Sequence, residues 1–162
     1  MNLNSTIRTI IAAHFAPFYA NTPNNVMTPQ AAVLGHADLS AATAITSRAK
    51  ITGTTGLTAL VPTVSTDCKV TKIQVKGSST SMTATSGANL VGIWENDGTT
   101  SWLVREIEVA AVVPSTTAKA TEAEINLVDF TLPATHSLYA SVSVTTTAST
   151  TALTVHAFGA TL

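Results

Sequence analysis

The sequence predicts an all-β domain, an antiparallel β-sandwich or jelly roll of about eight strands, preceded by an extended N-terminal arm. Three observations carry the prediction. From residue 48 onward, apolar and polar residues alternate in short runs, the period of two that a strand imposes on its side chains. Turn residues recur roughly every 8–12 positions between those runs. Helical spacing appears only near the N-terminus, where Ile7, Ile10, Ile11 and Phe15 follow the candidate caps Asn4 and Ser5 and precede the stop at Pro17.

Residues 1–47 therefore form one unit and residues 48–162 another. The first carries Pro17, Pro23, Pro29, the pair Asn24-Asn25 and an Ala/Thr-rich run from 31 to 46, none with a period long enough for a regular element. It is read as an arm, with a short helix or a strand over residues 7–11 as its competing local readings. Its apolar residues Ile7, Ile10, Ile11, Phe15, Phe18 and Tyr19 are the candidate assembly interface, because they cannot bury one another in a segment so broken.

In the second unit, residues 48–52 read as a weak first strand. Residues 57–64 read as a second, interrupted by Pro62 and so placed at a sheet edge, since proline lacks the N–H a central strand must donate. Residues 70–76 alternate well, with Ile73 and Val75 toward the core and the lysines toward water. Residues 90–109 are the central hairpin: two apolar-rich arms around Asn96-Asp97-Gly98, turn chemistry of the kind that joins antiparallel strands. Residues 122–132, 138–144 and 153–158 complete the set.

Composition bounds the function. The chain has 162 residues, enough for one domain with a core of its own; only 10% are charged against 45% hydrophobic, a low charge content for a freely soluble monomer. Part of the surface is expected to be covered by partners. A net charge of −1 with scattered Lys and Arg argues against nucleic acid, and no apolar run approaches the roughly 20 residues of a membrane span. The single Cys68 makes no internal disulfide, which fits assembly in a cytoplasm.

Candidate chemistry is sparse. Glu106 and Glu108 lie two apart on a strand, as do Glu122 and Glu124, spacing that would serve a carboxylate pair or a calcium site; a solvated sheet face is the plainer reading. His14, His36, His136 and His156 show no zinc spacing, and no Gly-x-Ser-x-Gly elbow or phosphate loop occurs. Cys68 reads as an ordinary thiol. Trp94 and Trp102 flank one turn and are expected to pack on each other across the strands rather than form a sugar platform. The expectation is a non-enzyme without catalytic, cofactor-binding or metal residues.

Several of these pieces, in this order, resemble a family. Asp97-Gly98 in the hairpin, Arg105-Glu106-Ile107 in the next strand, Pro114-Ser115, and Leu132-Pro133-Ala134 followed by Leu138 look like the β-sandwich virion proteins of tailed bacteriophages, over about residues 51–159. The chain departs from the pattern at Thr135-His136, where the family often places glycine, so the tight turn there must be made in another way. The resemblance implies a capsid decoration, or cement, protein on the head exterior, assembled in the host cytoplasm. Its implied partners are the major capsid protein and further copies of itself as a homotrimer, with no nucleic acid, membrane or cofactor. A tail, baseplate or head-fibre component, or a glycan-binding adhesin, is the alternative.

Overall fold

A computed structural model describes residues 32–77, 88–112, 119–148 and 152–162. Ten strands and no helix occur among the described residues: β1 (Ala32–Asp38), β2 (Ile51–Thr52), β3 (Thr58–Val61), β4 (Cys68–Gly77), β5 (Asn89–Asn96), β6 (Thr100–Val109), β7 (Glu122–Asn126), β8 (Thr131–Leu132), β9 (Ser137–Val142) and β10 (Leu153–Thr161). They form two antiparallel sheets. Sheet A runs β1-β10-β4-β7, with β8 also paired to β4; sheet B runs β2-β6-β5-β9-β3. The all-β expectation holds, and the two sheets enclose one core.

That core alternates along the strands as the period-two pattern requires. Val91 and Ile93 of β5 and Leu138, Ala140 and Val142 of β9 meet Ile73 and Val75 of β4 and Val155 and Ala157 of β10, each at most 1% exposed. At about 1.5–3 kcal/mol for each large aliphatic side chain, this burial is the main stabilising contribution of the fold. β3 lies at the edge of sheet B, as Pro62 suggests, but stops at Val61 and does not run on to residue 64 as expected.

Four bulges correct the simple alternation. Thr71 is skipped in the β4–β10 register, so Cys68 and Val70 on one side of it and Ile73 and Val75 on the other all face inward. Leu60 is skipped opposite β9, which lets the consecutive Leu60 and Val61 both be buried. Leu34 in β1 and Val104 in β6 are the other extra residues, and both pack against the core. A bulge sets two residues against one and so shifts the parity of everything beyond it.

Two further expectations need correction. The run 31–46, assigned to the arm, contains β1, which pairs along its length with β10, and Leu39, which is fully buried. The sandwich therefore begins before residue 48. Sequence inspection overlooks β1 because its run, AVLGHAD, is short, contains a glycine and is broken in period by the Leu34 bulge. Residues 122–132, expected as one strand, divide into β7 and β8 around Asp129, whose φ of 59° breaks the extended backbone. The arm residues Ile7, Ile10, Ile11, Phe15, Phe18 and Tyr19 lie outside the described residues.

Candidate functional site

Polar side chains are concentrated in three places, the first at the tip of the central hairpin. Asp97 Oδ1 accepts hydrogen bonds from the Thr99 and Thr100 amides and the Thr99 hydroxyl at 2.8–2.9 Å, and Gly98 takes a φ of 97° that an L side chain rarely adopts. These donors, led by the Thr100 amide and aided by the nearby His136, lower the Asp97 carboxyl to a pKa of about 2. The aspartate builds the turn.

Below the tip, Glu95 is almost buried and points to the inner side of sheet B, paired in register with Trp102 and with Leu138. His136 Nδ1 lies 2.6 Å from Glu95 Oε1, and the Trp102 ring meets the His136 ring edge-on at 6.0 Å between centroids. His136 is brought there by the corner between β8 and β9. Its amide donates to the Pro133 carbonyl, closing a turn whose third residue, Thr135, has a φ of 71°. The turn that the sequence left unexplained is thus made by threonine in a conformation that favours glycine. Asp67 Oδ1 accepts from the Ala134 amide, and the Val64 backbone bonds both Thr135 and His136.

A carboxylate bonded to an imidazole is two members of an acid–base relay. Among the described residues no serine, threonine or cysteine hydrogen-bonds His136 to supply a third member. The same group, an indole with a histidine and an acid at one end of the sandwich, has the composition of a small recognition site. Trp94 and Trp102 do not pack on each other, contrary to expectation. Trp94 pairs with Leu103 and Trp102 with Glu95, so the two indoles leave opposite faces of sheet B.

The second place is the outer face of sheet B. Residues 44–51 cross it from β9 to β6: Ala44 bridges Val142 of β9, Arg48 bonds both carboxylate oxygens of Glu106 of β6 at 2.9 Å, and Ile51 pairs with Ser101 of β6. A cleft of about 230 Å³ lies under the crossing, lined by Ile45, Arg48, Gly92, Trp94, Glu106 and Ser141 among others. Its floor is Trp94, only 1% exposed, whose Nε1 donates to Ser141 Oγ at 2.8 Å. A Cβ on Gly92 would stand 2.8 Å from that oxygen and 2.9 Å from the indole nitrogen, so only glycine leaves room. Glu106 is thereby an anchor for the crossing segment, while Glu108 is exposed.

The third is the outer face of sheet A, where register sets side chains in rows: His36, His156, Gln74 and Glu124; then Asp38, Thr154, Lys76 and Glu122. Glu122 and Glu124 pair with Lys76 and Lys72, at 3.9 and 3.7 Å. The His36 and His156 rings stack at 6.2 Å between centroids, and Lys72 Nζ lies 4.9 Å from the Phe158 centroid. Partial burial, then His36 and Lys76, hold the His156 pKa below its ordinary value.

Cys68 is buried, and burial with the Asp67 charge raises its thiol pKa, the opposite of an activated nucleophile. Among the described residues no group of three or more His, Cys, Asp or Glu is placed to hold a metal ion, and the Glu106/Glu108 and Glu122/Glu124 pairs recruit no third ligand. No signal in the sequence announces the Glu95–His136 contact across 41 positions, or the crossing segment. Comparison with protein-family models, with curated proteins and with solved structures finds no match to this chain.

Proposed function

We propose that the chain is a structural protein of a virion, binding the outside of a tailed-phage capsid and stabilising it as a decoration protein. The observation that carries this reading is the strand order. Of the eight strands with four or more residues, sheet A takes the first, eighth, third and sixth in chain order, and sheet B the second, seventh, fourth and fifth. We read this interleaving of early and late strands as a jelly roll, an architecture used by viral capsid and lectin domains. One fold serves many functions, so the fold supports the reading without specifying the role.

The role rests on the N-terminal segment. Residues 1–31, with Ile7, Ile10, Ile11, Phe15, Phe18 and Tyr19, are joined directly to β1, the outer strand of sheet A. Three or four such side chains buried on a capsid, each worth about 1.5–3 kcal/mol, would offset much of the ordering cost of the segment. The major capsid protein is the proposed partner, with homotrimers matching its three-fold positions. Removing residues 1–31, which keeps β1, is expected to leave a folded sandwich that co-sediments far more weakly with undecorated capsids. Equal binding by both forms would discard the arm, and absence from purified particles would discard the virion role.

The indole–histidine–acid group of Trp102, His136 and Glu95 favours a second reading, a tail, baseplate or head-fibre component that binds glycans. Quantifying the protein in purified particles separates the two. Hundreds of copies fit decoration; a few fit a fibre or baseplate.

A further inference from the structure

His36 and His156 come from strands at opposite ends of the described chain, and the β1–β10 register sets them directly opposite each other on the outer face of sheet A. Directly opposed residues in an antiparallel pair have Cβ atoms roughly 4.5–5.5 Å apart, within reach of a shared ion. His36 is exposed and His156 half-buried, their rings are stacked at 6.2 Å between centroids with an interplanar angle of 25°, and neither ring makes a hydrogen bond among the described residues. All four ring nitrogens are thus without a described partner.

We infer that His36 and His156 form a two-imidazole site for a divalent transition-metal ion of the Ni²⁺, Cu²⁺ or Zn²⁺ type, which staples edge strand β1 to β10. Metal–imidazole bonds of about 2.0–2.1 Å place two bound nitrogens roughly 3–4 Å apart, so the rings must rotate toward each other from their present stack. His36, at the surface of an outer strand, is free to make that rotation. Imidazole is the ligand these borderline ions prefer, whereas calcium and magnesium require oxygen donors that the pair does not offer. Water completes the coordination, which makes the site labile and weaker than a closed structural zinc centre.

Lys72 and Lys76 are the nearby cations on β4, and each is paired with a carboxylate of β7, Glu124 and Glu122, which weakens the repulsion of an ion that Lys76 exerts at His156. Asp38, two positions from His36 on the same face, adds a negative charge while its Oδ1 accepts from the Ser40 amide.

The test uses the untagged full-length chain, titrated with NiCl₂ and separately with ZnCl₂ by calorimetry. One ion is expected per chain, with binding lost in H36Q and lost again in H156Q, the first at an exposed and the second at a half-buried position of the sheet face. Thermal melts in metal at about a hundred times the dissociation constant are expected to rise by roughly 5–10 °C for the wild type and not for either variant. Paramagnetic Cu²⁺ on the wild type gives a readout that needs no variant: selective broadening of amide signals around residues 36 and 156. Absence of binding up to millimolar metal, binding retained in either single variant, or broadening centred on His14 or His136 instead, overturns the assignment.

Discussion

The outer faces of the two sheets are built by the same alternation and end in opposite states. On sheet A the outward residues stay wet: rows of His, Thr, Lys, Gln and Glu run across β1, β10, β4 and β7, tied by exposed ion pairs. On sheet B the outward Trp94 is as buried as any core residue, because residues 44–51 cross over it. Period two tells which residues share a face. Whether that face meets water is decided by a segment with no period at all.

The largest expected effect tests this contrast directly. Trp94→Ala should destabilise the fold by about 3–5 kcal/mol, the loss typical of a core aromatic, although it lies on an outer face. Phe158→Ala, on the outer face of sheet A with Lys72 near its ring, should cost about 1 kcal/mol or less. Chemical denaturation of both variants measures the difference, and similar losses would mean that the crossing segment does not seal sheet B. Gly92→Ala comes next. Its new methyl must displace Ser141 or the indole that Ser141 holds, for about 1–3 kcal/mol; a neutral result would show that the cleft under the crossing yields easily.

The corner at Thr135 carries the chain from β8 in sheet A to β9 in sheet B, and it is expected to respond in the other direction. A left-handed backbone costs a non-glycine residue about 1–2 kcal/mol, while glycine adds roughly 0.5–1 kcal/mol of unfolded-state entropy. Thr135→Gly should therefore stabilise by about 0.5–1 kcal/mol, read as a raised denaturation midpoint. A lowered midpoint would show that the threonine side chain contributes more than its backbone costs.

Arg48 and Glu106 latch the crossing segment, but their side chains are 61% and 34% exposed, so solvent screens the pair. A double-mutant cycle should find only weak coupling that shrinks further with salt; strong coupling that survives salt would make the ion pair the main fastening of the crossing segment. The last expectation concerns sheet A and pH. His156 is held below the 6.5 of an unperturbed histidine, so the folded state binds its proton more weakly than the unfolded state does. Stability from this group is complete above pH 6.5 and falls as pH drops below it. In His156→Gln that part of the acid slope should disappear from the melting profile; an unchanged slope would place the acid sensitivity elsewhere.

Local patterns in the sequence determined a good deal. Short alternating runs made the domain all-β, Asn96-Asp97-Gly98 set the central hairpin, Pro62 marked an edge strand, and Ile73 and Val75 were assignable to a core from their period. Each of these depends on residues close together in the chain, where backbone geometry acts on its own. Only the tertiary structure decided the bulges at Leu34, Leu60, Thr71 and Val104, which reset side-chain parity to fit a neighbouring strand. It alone joined β1 to β10, covered Trp94, and brought Glu95 to His136 and His36 to His156. Those outcomes depend on which distant strands lie side by side, and a single strand's alternation holds no information about its neighbour.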